Sequence, residues 1–135
     1  MSVWHGNLHK RKASGGRKRA NRKKRRFERG SYPTQTTLDE RKLKTTRRHG
    51  GNLKTRAFSE RVASVSKLDT GKTDKADILR VVRNPANVNY DRRGVITKGT
   101  LIETKLGLAR VTSRPGQHGT ISAVLVPEEA KKTRS

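Results

Sequence analysis

Cysteine is absent, so neither a disulfide framework nor a thiolate metal site can hold this chain together. Aromatic residues are almost absent as well, with one Trp, two Tyr and two Phe in 135 residues. That scarcity argues against a sheet that reads single strands by stacking bases across an aromatic-rich strand surface. Acids are few, 11 against 34 Lys and Arg, which leaves a formal net charge of +23. Like charge at this density repels itself and opposes compaction unless a polyanion lies beside it. Nucleic acid is the polyanion that the composition points to. A membrane surface is not expected as the partner, because no apolar run is long enough to span a bilayer and no basic stretch carries an apolar helical face. The opening residues also lack the apolar core of a secretory signal, so a cytoplasmic location is expected.

What is present is unevenly spread. Residues 1–60 hold 19 Lys and Arg against 4 acids, whereas residues 61–135 hold 15 against 7. Between Lys10 and Arg29, twelve of twenty positions are basic and only Glu28 is acidic. Ile, Leu and Val run the other way, scarce before Leu38 and recurrent after it. The expected organisation is a basic extension at 1–37, a β-barrel domain at 38–127 and a tail at 128–135. A hydrophobic fraction of 29% allows one modest core and no more. The stretch 17–29 has helix-forming residues, but adjacent like charges and the lack of an apolar stripe would leave a helix there unstable alone. The extension is expected to order when it meets RNA.

The second half reads as strands. Residues 60–67 and 77–83 are rich in β-branched side chains and are joined by a turn at 68–72, with Gly71 placed for positive φ. Asn84-Pro85-Ala86-Asn87 is a loop, since the residue before proline avoids the helical region. Residues 100–104 and 108–113 form a hairpin around Lys105-Leu106-Gly107, residues 114–119 a loop, and residues 120–126 a last strand stopped by Pro127. Residues 43–47 and 53–58 add two more strands around His49-Gly50-Gly51-Asn52. The expected fold is all-β, a small six- to seven-stranded barrel-like domain with a long basic N-terminal extension.

No chemistry-bearing constellation emerges. His5 and His9 share a four-residue spacing, but no helical signal or nearby carboxylate supports a metal site, and phosphate or solvent contact is the better reading. The acids stand beside cations, as in Asp39-Glu40-Arg41-Lys42 and Asp91-Arg92-Arg93, and read as local charge balance. No phosphate-binding Gly-x-x-x-x-Gly-Lys motif and no carboxylate pair in apolar surroundings occurs. An enzyme, a cofactor, a bound metal and a small-molecule substrate are therefore not expected. The cationic, glycine-bearing segments carry the binding signal instead. In the extension these are Arg11, Arg17, Lys18, Arg19, Arg22, Lys23, Lys24, Arg25 and Arg26; around the Gly50-Gly51 tip they are Arg47, Arg48, Lys54 and Arg56. Gly50 and Gly51 would let the backbone approach a phosphate that the flanking guanidinium groups grip. An ordinary hairpin turn explains the same glycines, and a hairpin tip that touches RNA satisfies both readings. Trp4, Phe27 and Tyr32 could stack on bases.

Several blocks in order resemble the small-subunit ribosomal protein eight family of the eukaryotic and archaeal type. They are Ser14-Gly15-Gly16-Arg17, Arg22-Lys23-Lys24-Arg25-Arg26-Phe27-Glu28-Arg29-Gly30, Arg48-His49-Gly50-Gly51-Asn52-Leu53-Lys54, Asn84-Pro85-Ala86-Asn87, Ile96-Thr97-Lys98-Gly99, Ile102-Glu103-Thr104 and residues 109–117. The resemblance covers residues 3 to 126, and the length fits the archaeal branch. His49 and His118 stand where the family usually carries other residues, and neither departure breaks a core motif. The resemblance implies a β-barrel docked on small-subunit ribosomal RNA, a basic extension threaded into that RNA, and neighbouring ribosomal proteins as partners. A ribosome-assembly factor of the same barrel family and an architectural DNA-binding protein are the alternatives.

Overall fold

The computed structural model describes residues 3–68 and 70–126. Asp69 of the 68–72 turn, Pro127 and the expected tail at 128–135 lie outside the described residues. The chain divides into two units, Met1–Pro33 and Thr34–Ser135.

In the first unit, β1 (Val3–Trp4) pairs antiparallel with β2 (Arg29–Gly30). Across 17–29 the backbone forms only a single 3-10 turn at Arg26–Glu28, not a longer helix. The reason is the one legible in the residues: neighbouring cations repel, and no apolar stripe exists to pack. Residues 12–16 make a tight turn, with the Gly15 amide donating to the Lys12 carbonyl at 3.0 Å and Gly15 held at φ 78°. A residue with a Cβ would be strained there.

The second unit is mostly strand. β3 (Lys42–Arg47) and β4 (Leu53–Ser59) form an antiparallel hairpin as a separate two-stranded sheet. β5 (Val62–Ser66), β6 (Thr73–Arg83), β7 (Leu101–Thr104), β8 (Gly107–Val111) and β9 (Ser122–Leu125) close into a barrel. Neighbours pair antiparallel except at the seam, where β5 meets β9 in parallel. The all-β expectation holds, with five strands in the barrel and the β3–β4 pair outside it. Two one-turn helices are present: α2 (Pro115–His118) lies within the expected loop at 114–119, and α1 (Val88–Arg92) directly follows the expected loop at 84–87. Each is too short for a 3.6-residue apolar period to register.

The barrel interior is filled by alternate strand residues: Ala63 and Val65, Ala76 and Ile78, Ile102, Ala109 and Val111, and Ala123. Ile96 and Ile121 complete this core from the connecting segments. Small and β-branched side chains suit a barrel whose five strands enclose little volume. In β6 the ladder to β7 slips between Ile78 and Arg80, so Leu79 bulges outward and is exposed. One extra residue shifts the alternation by one, which is how Val81, rather than the even-numbered position, packs against the core. β6 also begins four residues earlier than its β-branched run suggests, because Thr73–Ala76 pair with Ser66–Ala63. Pairing to an existing strand outweighs the poor strand preference of Asp74 and Lys75.

Beside α1, Asn84 is buried with both polar side-chain atoms hydrogen-bonded. Its backbone amide donates to Asp91 Oδ1, its side-chain amide donates to the Val95 carbonyl, and its Oδ1 accepts from the Ala86 amide and the Thr97 hydroxyl. Thr36 and Thr37 link the hairpin to the barrel: Thr36 bridges to Ile96 and donates its hydroxyl to the Ala57 carbonyl, while Thr37 bridges to Ser59. Among the described residues no helix is long and apolar enough to cross a membrane.

Ile102 is fully buried at the centre of this core. Ile102→Ala should cost roughly 2–5 kcal/mol, read as a lower midpoint in urea with an unchanged slope. On the barrel surface the Lys105 ammonium, and secondarily the Arg61 charge, hold the Asp77 carboxyl below the usual carboxylate range. A depressed folded-state pKa means that the stabilisation is complete at neutral pH and is lost as the solution is acidified through and below the ordinary value near 3.8. Asp77→Asn should therefore lower the melting temperature at pH 7, by an amount that shrinks as the pH falls below 3.8.

Candidate nucleic-acid interface

The candidate residues fall in both units, and each unit presents its own cationic surface. In the first unit every candidate except half-buried Lys18 is exposed. The backbone that carries them is organised around the single acid. Glu28 Oε1 accepts from Arg22 Nη2 at 2.7 Å, and its Oε2 accepts from the Arg25 backbone amide at 2.9 Å. The Arg22 side chain, followed by the Arg25 amide, holds the Glu28 carboxyl below its ordinary range. Arg22 also lies over the Phe27 ring, 5.6 Å from its centroid, and Lys24 over the Trp4 ring at 5.4 Å. Arg22 thus helps to shape the turn. Arg11 and Arg17 form an isolated antiparallel bridge that closes the 12–16 turn, with Arg11 Nη1 reaching the Gly15 carbonyl at 3.3 Å.

In the second unit the hairpin sets the geometry. Registration pairs Lys44 with Arg56, Thr46 with Lys54 and Arg47 with Leu53. Directly opposed residues of an antiparallel pair share a face, and alternate residues along a strand return to it. Lys44, Lys54 and Arg56 therefore line one face of the hairpin with Thr46. Like charges so close are unfavourable without a counterion, and residues 42–58 contain no acid. Arg56 is half-buried, and its Nε is buried without a hydrogen-bond partner among the described residues. At the tip, Gly50 and Gly51 both adopt positive φ, 68° and 79°, and the Arg47 guanidinium sits beside Gly51. The Arg48 amide donates to the Asn52 carbonyl, and the Asn52 side-chain amide donates to the His49 carbonyl, closing the loop. Arg47, Arg48, Gly50 and Gly51 are all exposed.

One further group of polar residues joins this hairpin only in three dimensions. α2 packs on β4, and a Cβ added to Gly119 would come within 2.8 Å of Thr55 Cγ2, while one added to Gly116 would meet the Thr34 carbonyl at 3.0 Å. The close fit carries exposed Arg114 and His118 to the strand that holds Lys54 and Arg56. The His118 Nδ1 accepts from the Arg114 amide at 3.3 Å. Sequence reading omitted these two residues; the only local signal was the density of glycine and proline at 114–119. Among the described residues no cluster of three or more His, Asp or Glu could hold a metal ion. Such surfaces can neutralise phosphates and approach them closely through glycine backbone.

A family model described as ribosomal protein S8e matches residues 5–126. The chain is similar to the small ribosomal subunit protein eS8 of Haloarcula marismortui, 50% identical over 116 residues that cover 86% of this chain and 93% of the relative. It is 48% identical over 134 residues to the protein of the same name from Hyperthermus butylicus, with 98% of each chain covered. The protein of that name from Sulfolobus acidocaldarius is 46% identical over 129 residues, 95% of this chain and all of the relative.

Gly119 tests how the α2 surface is held. It sits at φ 77° against Thr55, so Gly119→Ala should be destabilising by more than about 1 kcal/mol through backbone strain and steric overlap together. Gly119→Ala combined with Thr55→Ser, which removes the Thr55 Cγ2, should recover part of that loss in thermal melts.

Proposed function

The chain belongs to the ribosomal protein S8e family, and from that premise we propose that it is a structural constituent of the small ribosomal subunit that binds and stabilises ribosomal RNA. A family match running from residue 5 to residue 126 at close to half identity carries this reading. The protein works in the cytoplasmic ribosome, with small-subunit ribosomal RNA and neighbouring ribosomal proteins as partners, and acts as scaffold rather than catalyst.

The mechanism is phosphate neutralisation and shape fitting. Exposed Arg11, Arg17, Arg19, Lys23, Lys24, Arg25 and Arg26, with half-buried Lys18, contact phosphates in the extension, while Arg22 positions the turn through Glu28. On the second unit Arg47, Arg48, Lys54 and Arg56 contact phosphate, and Gly50 and Gly51 allow backbone to approach it. Each cation that meets a phosphate releases condensed counterions, which gives favourable entropy and a salt-dependent affinity. RNA also completes the order of the extension, whose two-residue ladder and short turns are marginal as isolated structure.

Replacing Arg17, Arg19, Lys23, Arg25 and Arg26 with Ala should weaken binding to all RNAs about equally. The slope of log K against log salt should become shallower by about 3.5 to 4.5 units, at roughly 0.7–0.9 for each of the five phosphates that the variant leaves unneutralised. Loss of affinity for ribosomal RNA alone, with non-specific binding retained, would mean that these residues read shape or bases. Sedimentation of cell extract at low salt tests the assignment itself. Comigration with mature small subunits is expected; residence only in precursor particles, or on chromatin, would overturn it.

A further inference from the structure

None of the five aromatic side chains is buried. Trp4 is 40% exposed, Phe27 75%, Tyr32 59% and Phe58 41%, and Tyr90 is half-buried. Aromatic rings gain more from burial than almost any other side chain, yet this core is built from Ile, Val and Ala alone. Three of the five rings lie within residues 1–33, among the densest cations of the chain. Trp4 lines a cleft of about 270 Å³ whose walls also include His5, Asn7, His9, Asn21 and Lys24. The ring is held by backbone on both sides: Trp4 pairs with Arg29, and the next amide, His5, donates to the Glu28 carbonyl at 2.7 Å. Gly30 leaves the room that the His5 imidazole fills, since a Cβ there would overlap it.

We propose that this cleft takes one unpaired nucleobase of the bound RNA, stacked on the Trp4 indole. The inference rests on the RNA-binding reading and adds to it a site that selects unpaired nucleotides. A cleft of this volume has room for one flat ring. Asn7 and Asn21 each present a donor and an acceptor, the complement of the base edge that only an unpaired nucleotide exposes. Lys24 already lies 5.4 Å from the indole centroid and is within the cleft wall, where it can meet the phosphate of the captured nucleotide. Phosphate contacts alone explain affinity; they do not explain why the rings are kept out of the core and set among the cations.

Trp4 is the only tryptophan, so its fluorescence reports this cleft and nothing else. The full chain is titrated with a single-stranded RNA hexanucleotide, a duplex of the same strand length and inorganic polyphosphate. All three should bind, and only the single strand should quench the indole emission. Trp4→Leu, which keeps an apolar side chain, should lose roughly 5- to 150-fold in affinity for the hexanucleotide with no change in salt slope, while Trp4→Phe retains most of it. Equal quenching by polyphosphate or duplex would overturn the proposal, as would tight hexanucleotide binding with no change in emission. Either result leaves the ribosomal reading intact, because that reading fails only if the parent chain does not bind ribosomal RNA or comigrate with the small subunit.

Discussion

Electrostatic self-repulsion is the constraint on which the rest of this structure depends. Thirty-four cations against 11 acids cannot be neutralised internally, so the placement of the acids decides which cations serve the fold. Among the described residues five ion pairs form, and four lie in the second unit. Lys67–Asp74 joins β5's end to β6, Arg80–Glu103 joins β6 to β7, and Lys105 of the β7–β8 turn returns to Asp77 of β6. Exposed pairs like these add little stability singly, but here they offset like-charge repulsion between adjacent strands of the barrel. No acid is assigned to the hairpin: residues 42–58 have none, and neither do residues 10–27. The same economy in Glu28 fixes one turn of the first unit through Arg22 and the Arg25 amide, leaving the surrounding cations to face solvent. The cations left without local counterions are the ones proposed to meet RNA.

A small barrel makes this division workable. Five strands enclose Ala63, Ala76, Ala109 and Ala123 alternating with Val and Ile, and no ring stands among these buried residues. Little apolar surface is then needed to close a core, which suits a chain with so low a hydrophobic fraction. It also releases the aromatic residues for the surface. The polar connections are correspondingly well satisfied: Asn84 ties the end of β6 to Val95 and Thr97, and Thr36 ties the hairpin to the barrel. Each substitutes a directed hydrogen bond for the apolar packing that the sequence does not supply.

Much of the fold was legible because its signals are local. The turn at Gly71, the hairpin around Lys105-Leu106 and the loop beginning at Asn84-Pro85 follow from backbone preferences, and all appear where those preferences put them. The start of β6 at Thr73 and the bulge at Leu79 were not legible, because each is decided by the partner strand rather than by the residues themselves. The candidate interface divides the same way. Cation density located the 10–29 and 47–56 segments, but it ranked Arg22 with its neighbours, and only the 2.7 Å pair with Glu28 distinguishes it. Arg114 and His118 were not marked as interface residues because they are about sixty residues from the hairpin that they approach.

By itself the sequence determined the class of partner, the all-β character and the two cationic segments, since net charge, strand preference and turn chemistry act through composition and near neighbours. Tertiary structure alone decided that five strands close with β5 parallel to β9, that α2 lies on β4, and that Lys24 covers Trp4 beside a cleft. Those outcomes turn on contacts between residues distant in the chain, whose geometry exists only once the strands have paired and the small core has closed.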